Sequence, residues 1–313
     1  MHTLLLYPSD PQVEHNGDFF ANPSDRIELY NPSKEEYSLH LVGSSNGLLC
    51  LANMILSNER GLCVLWNPSI QKAISLPKPN LPCLGSMIQS VGLGYEPMTD
   101  DYKLVRLVYG GTTYIPFKKN VPSLVEIYTL RTGIWRSFTA PGPPYLVAMC
   151  SSSVFMNGAL HWPANTPSWQ RAFRNVIVWF NMKDEAFGEV GRPKSLQGLE
   201  DLNVSVAIVD GLLALFPCAT ARNETSQAVW VMKEYGAEES WSKLFDVRIG
   251  VLERVIGFTK SDEVLVQKAQ SLFSFGPSSQ GYVDLPIRDP EDIYLDTYVE
   301  SLVLLNAADR VPG

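Results

Sequence analysis

The chain has 313 residues, 45% of them hydrophobic and 19% charged, and a formal net charge of −8. An acidic chain without a Lys/Arg cluster repels phosphate backbones, which argues against nucleic acid as a partner. A charged fraction below the roughly 25% of an average domain, with 22 Gly and 22 Pro, leaves little room for long surface helices.

Residues 1–40 read as an N-terminal segment that can contribute an outer strand, ahead of a domain spanning 41–313. Thr3–Tyr7 is too short and lacks the basic flank of a secretory leader. No apolar run approaches the ~20 residues of a membrane span. The expected location is therefore the cytoplasm and/or nucleus, with no membrane partner.

The first strand-sized runs are Leu39–Val42 and Leu48–Ala52, separated by Asn46-Gly47. Asn and Gly tolerate the positive φ that both central residues of a type I′ turn require, so this is a predicted hairpin. Gly43-Ser44-Ser45-Asn46-Gly47 also fits G-x-S-x-G, the nucleophile elbow of serine hydrolases, and Asp100 or Asp101 and then His161 follow in the hydrolase order. That elbow needs a strand-to-helix turn, whereas another strand-like run, Leu62–Trp66, comes next. Ser45 therefore reads as a hairpin residue. No Lys-Ser/Thr follows Gly47, so the stretch is no phosphate loop either. Cys50 and Cys63 lie in these runs and read as small core residues. The chain has five cysteines and no C-x-x-C, which suggests neither a disulfide framework nor a zinc site. No cofactor is expected.

Further strand-sized runs follow at Leu104–Tyr109, Val125–Leu130, Val154–Phe155, Val176–Phe180, Val204–Val209, Leu212–Phe216, Val229–Met232, Val255–Phe258 and Val264–Val266. Thr132-Gly133, Asn157-Gly158 and Asp210-Gly211 supply turns between them. The carboxylate groups Asp100-Asp101, Glu185, Glu238-Glu239 and Asp289-Glu291-Asp292 fall in turn-like contexts and read as solvated. Trp66, Trp135, Trp162, Trp179, Trp230 and Trp241 each adjoin a strand run and read as core packing. The segment Glu291–Asn306 is ambiguous: Leu295, Val299 and Leu302 fit helical spacing, while Ser301–Leu305 fits a final buried strand, the preferred reading.

One unit recurs: a strand, a polar turn, then an aromatic residue opening a second strand. It is seen at Trp66–Pro77, Val125–Trp135, Val176–Phe187 and Val229–Phe245. A period of ~50 residues is blade-sized, so the fold class is all-β, a propeller of about six degenerate blades, with seven also open.

Two stretches carry large side chains outside the strand pattern. Thr112–Asn120 holds Tyr114, Phe117, Lys118 and Lys119, and Pro163–Asn175 holds Trp169, Arg171, Phe173 and Arg174. Aromatic and Arg residues are the usual anchors of interfaces, and both stretches are basic on an acidic chain, which suits an acidic partner surface. The alternative is that they are ordinary loops, solvated or folded over the domain's own end.

Six motifs in order carry a resemblance. They are G-S-x-N-G-L-L-C-L (Gly43–Leu51), L-W-N-P-S…L-P (Leu65–Pro77), G-x-G-Y-x-P-x-T-D-D-Y-K-x-V (Gly92–Val105), E-x-Y-x-L-R-T-G-x-W-R (Glu126–Arg136), F-x-N-G-A-L-H-W (Phe155–Trp162) and Y-V-E-S-L (Tyr298–Leu302). Over roughly residues 40 to 305 the chain resembles the plant F-box-associated interaction domain. The resemblance implies a non-enzymatic substrate receptor of an SCF-type ubiquitin ligase, whose partner is a target protein. Residues 1–40 lack the F-box pattern and are expected to be a remnant after it, so a Skp-family adaptor is expected only if a longer form supplies that bundle. The alternative is a carbohydrate-active or other hydrolase on a propeller scaffold, which would need two carboxylates facing one cleft.

Overall fold

A computed structural model describes residues 2–8, 26–29, 40–52, 55–56, 63–80, 87–110, 124–138, 143–147, 153–166, 175–197, 204–217, 225–249, 253–258, 263–268, 271–275, 281–288 and 292–305. Two compact units divide the chain: Met1–Pro32 with Asp201–Glu300, and Ser33–Glu200 with Ser301–Gly313. Strands β1 (His2–Pro8) and β2 (Arg26–Leu29) pair antiparallel and belong to the first.

The second unit holds three sheets. β3 (His40–Ser45), β4 (Leu48–Ala52), β6 (Cys63–Asn67) and β7 (Lys72–Ser75) make a four-stranded antiparallel sheet. The intervening β5 (Ile55–Leu56) joins the next sheet, at the edge of β8 (Met87–Glu96), which is followed by β9 (Asp101–Gly110), β10 (Leu124–Thr129) and β11 (Ile134–Ser137). In the third sheet, β12 (Leu146–Val147) and β13 (Val154–Met156) both pair with β14 (Ala159–Asn165), which continues to β15 (Asn175–Asn181) and β16 (Ala186–Gly191). The inner strands are buried on both faces: every residue of β4 is buried, as is every residue of β14 but Asn165. Leu48, Cys50, Leu65, Leu93 and Tyr128 meet in one buried cluster, and Leu107, Val125, Trp162, Val178 and Phe180 in another.

In the first unit, β17 (Val204–Val209), β18 (Leu212–Pro217), β19 (Thr225–Met232) and β20 (Trp241–Ile249) form one antiparallel sheet. β21 (Glu253–Phe258), β22 (Val264–Lys268), β23 (Ser271–Phe275) and β24 (Tyr282–Arg288) form another. Last comes β25 (Asp292–Tyr298), which pairs parallel with β1 from His2↔Asp292 to Pro8↔Tyr298. β20 is a long outer strand, and its register slips so that Val229 pairs with Phe245 and Trp230 with Lys243. Leu244 is the extra, bulged residue, flanked by the Lys243–Asp246 ion pair. A bulge and charges are standard ways to blunt an edge against further pairing.

Each strand-sized run from Leu39–Val42 to Val264–Val266 overlaps a strand. The three Asx-Gly pairs take positive φ at both residues: 43° and 80° at Asn46-Gly47, 51° and 74° at Asn157-Gly158, and 49° and 72° at Asp210-Gly211. Among the described residues five antiparallel sheets are blade-sized and a three-stranded sheet accompanies them, against the expected count of about six blades. The C-terminal segment needs a correction. Asp292–Tyr298 is a strand, but Ser301–Leu305 is not: it ends in a turn closed by Leu305 N donating to Leu302 O. Trp135, Trp162 and Trp241 are buried as expected, whereas Trp66, Trp179 and Trp230 are half-buried.

Candidate partner-binding site

Antiparallel pairing sorts the connections of the second unit to two ends. Tight turns join β3 to β4, β6 to β7, β8 to β9, β10 to β11, β13 to β14 and β15 to β16. The longer connections β4–β6, β9–β10 and β14–β15 leave from the opposite end of the same sheets, because each strand reverses direction. Hydrogen bonds gather the tight turns together. Tyr102 OH donates to Asn46 O at 2.9 Å, and Lys103 Nζ donates to Met182 O at 2.7 Å and to Glu185 Oε1 at 3.0 Å. Arg136 pairs with the other oxygen of Glu185. Burial alone would raise the Glu185 carboxyl, but its bonds from Arg136 and Lys103 outweigh that and hold it below the usual range. This end is sewn shut by its own charges.

The opposite end is where the two stretches singled out in the sequence leave their sheets. Tyr114, Phe117, Lys118, Trp169, Arg171 and Arg174 lie outside the described residues, but the strands that carry them do not. Residues 111–123 leave from Gly110 and return at Leu124; residues 167–174 follow Thr166 and return at Asn175. The bases of the two connections are tied. Tyr109, one residue before the end of β9, accepts a hydrogen bond at its OH from Val147 N at 3.3 Å, and Val147 pairs with Ala164 near the end of β14. Burial raises the Tyr109 phenol, so it stays protonated and anchored in the core with Tyr145 and Val147. The fold thus roots both stretches at one end of two neighbouring sheets.

The residues that match a hydrolase pattern are engaged elsewhere. Ser45 is buried at the end of β3, in a strand–turn–strand context. Asp101 Oδ1 accepts from Tyr102 N and Arg131 N, and Asp100 Oδ1 accepts from Tyr95 OH. His161 pairs across the sheet with Val154 and Trp179 inside β14. Cys50 and Cys63 are buried and unoxidised, and burial raises both thiols, Cys63 to about 11. Among the described residues no cluster of three or more His, Cys, Asp or Glu is placed to hold a metal.

One residue at the loop end was not singled out in the sequence. Arg192 follows β16 directly, yet it is only 1% exposed. Its Nη2 reaches across the end of the sheet to donate to Ala164 O at 3.3 Å and Asn165 Oδ1 at 3.1 Å. A lone Arg beside Pro193 gives no signal of burial in the sequence.

Residues 6–278 match the F-box associated β-propeller domain model. The chain belongs to that family. Its propeller architecture is the fold class read from the strand–turn–aromatic recurrence. Relatives from Arabidopsis thaliana include F-box protein CPR1, 28% identical over 71% of this chain and 55% of the relative. F-box/kelch-repeat protein At3g23880 is 28% identical over 79% and 68%, and F-box protein At4g22390 is 26% identical over 90% and 73%. The chain thus spans little more than half the length of the first of these. A gluconolactonase from Xanthomonas campestris superposes with a TM-score of 0.46 at 8% identity, covering 81% of this chain and 78% of the other; at that level the likeness supports no conclusion about activity.

Proposed function

We propose that this chain is the target-recognition domain of a substrate receptor for an SCF-type ubiquitin ligase, acting in the cytoplasm and/or nucleus. Membership of the F-box associated β-propeller family carries this reading. Its role is to hold a target protein rather than to catalyse a reaction. A Skp-family adaptor would be engaged through an F-box supplied by a longer form of the protein.

The target site is assigned to the loop end of the second unit. Strands commit their side chains to packing, so recognition falls to connections. The tight-turn end is occupied by its own ion pairs and hydrogen bonds. At the loop end the strands lead into the stretches whose sequence holds Tyr114, Phe117, Lys118, Trp169, Arg171 and Arg174. The test uses Phe117→Ala, Trp169→Ala and Arg171→Ala singly. Proteins captured by the chain from plant tissue under proteasome inhibition are quantified against each variant, alongside its Tm. Loss of a specific captured protein at unchanged Tm supports the reading. Full capture by all three variants moves the site off this end.

A further inference from the structure

Among the described residues the second unit buries two arginines, Arg106 and Arg192, and treats them differently. Arg106 lies inside β9 with its side chain fully out of solvent and pairs with the equally buried Glu126 of β10. Arg192 is as deeply buried, but among the described residues its acceptors are the neutral Ala164 O and Asn165 Oδ1, both served by Nη2. Its Nε and Nη1 have no hydrogen-bond acceptor among the described residues. Burial pushes the guanidinium down to about 10, so it remains charged at neutral pH. A buried charge without a counter-ion costs several kcal/mol, and each buried donor left unmade adds to that.

The position of Arg192 says what would relieve it. The residue stands at the loop end, where β14 gives way to residues 167–174 and β16 runs into the 3-10 turn Lys194–Leu196. That turn is tied back by Gln197 Nε2 donating to Arg192 O at 3.1 Å and by Asn175 Nδ2 donating to Leu196 O at 3.4 Å. Both are neutral side chain–backbone bonds, the second of them long, and the turn lacks a side-chain N-cap. Lys194 in the turn, with Arg171 and Arg174 in the adjoining stretch, makes the local sequence basic within a chain of net charge −8.

We propose that Arg192 is an anion-receiving residue of the loop end, and that the group it takes is a carboxylate, the Asp or Glu side chain of a protein target. The inference rests on the loop end being the target site. Carboxylates form charge-assisted bonds with guanidinium about twice as strong as neutral ones. The residue pre-pays the desolvation of its own charge, so the incoming carboxylate meets N–H donors already withdrawn from bulk solvent. Access requires the 193–197 turn to lift, which breaks the neutral ties described above. Specificity follows from the same geometry, since an amide in place of the carboxylate would leave the charge uncompensated.

The probe is a capped Glu-Glu dipeptide, titrated at constant ionic strength into the full chain while the Arg192 Nε–H resonance is followed by NMR. A capped Gln-Gln dipeptide and acetate are run beside it. The expected result is a saturable shift with Glu-Glu, a weaker one with acetate and none with Gln-Gln. Arg192→Met should abolish the shift while melting at the wild-type temperature or above, because it removes an uncompensated buried charge. Arg192→Lys, which keeps the charge but loses the planar fork, should bind several-fold more weakly and covers the case in which the Met variant fails to fold. No saturation with Glu-Glu, or an equal response to Gln-Gln, overturns the proposal. So does a Met variant that melts lower and leaves the titration of the Lys variant at wild-type strength, since Arg192 is then a strut between β16 and β14. A shift with acetate alone marks a free-anion site and overturns the protein-target assignment. The titration needs no target protein, so its failure is distinct from failure of the loop-end variants to lose a captured protein.

Discussion

Arg106 on β9 and Glu126 on β10 stand directly opposite each other in register and form an ion pair with both side chains completely buried. Such a pair is worth little over a well-packed apolar pair, yet breaking it leaves a bare charge in the core, which costs about 3–5 kcal/mol. Glu126→Ala or Arg106→Ala should therefore lose about that much stability in urea unfolding. Arg106→Met combined with Glu126→Leu should recover most of it. Equal losses from the double and single variants would mean that the pair contributes through shape rather than charge compensation.

Asn67 fastens the C-terminal turn. Its Nδ2 donates to Ser301 O and to Val303 O, both at 2.8 Å, while its Oδ1 accepts from Ser69 N at 3.0 Å. These bonds hold Leu304 in the core at φ 73°, a conformation that bulky residues rarely adopt. Asn67→Ala should cost about 2–3 kcal/mol from three lost bonds and two stranded carbonyls. It should also speed proteolysis within residues 299–305. Asn67→Asp keeps the acceptor for Ser69 but sets a carboxylate against two carbonyl oxygens, so it should be the more damaging of the two. If Asp is tolerated better than Ala, the amide is not the fastener.

Legibility divided along a physical line. Asn46-Gly47, Asn157-Gly158 and Asp210-Gly211 were readable because positive φ is a local demand that few residue pairs meet. Strands with continuous apolar runs, such as Val176–Phe180, were readable for the same local reason. β8 was not, because Gly92 and Gly94 interrupt its apolar pattern, and those glycines answer to Trp162 and Phe155 on other strands and Met182 in the β15–β16 turn. Nothing in Leu302-Val303-Leu304-Leu305 marks a left-handed leucine; Asn67, far away in sequence, imposes it. Arg106, Glu126 and Arg192 look like ordinary surface charges until the partner strands are in place. The loop end was legible only as composition, since which connections share an end is a property of strand order.

His161 makes stability depend on acid. Burial lowers its imidazole from 6.5 to about 4, against hydrogen bonds with the backbone of Val154 and Ala159 that work the other way. The unfolded chain takes up this proton below about 6.5 and the folded chain only below about 4, so stability is lost as pH falls through that window. The loss for this residue is at most roughly 3 kcal/mol. Urea midpoints at pH 7 and pH 4.5 should differ less for His161→Gln than for the wild type. An unchanged difference would place the acid sensitivity elsewhere.

Gly92 is fixed by packing rather than by φ. A Cβ there would stand 2.6 Å from Trp162 Cζ2, 2.8 Å from Ser153 Oγ and 2.9 Å from Leu160 Cδ1. Trp162 and Leu160 are completely buried, and Ser153 Oγ is held by Val42 O at 2.9 Å, so none of the three can yield without disturbing its own neighbours. Gly92→Ala should therefore cost about 1–3 kcal/mol, the range of overpacking in a filled core. Gly158 provides the contrast: at φ 74° with nothing within 4 Å of a Cβ, its substitution by Ala meets strain alone. Trp162→Phe removes the ring atom nearest Gly92, at the expense of a cavity. In a double-mutant cycle, Gly92→Ala should cost less on the Trp162→Phe background than on the wild type, with a coupling of about 0.5–3 kcal/mol. Gly158→Ala on the same background should show no coupling. If the Gly92 and Trp162 effects simply add, the glycine is required for a reason other than the indole packed against it.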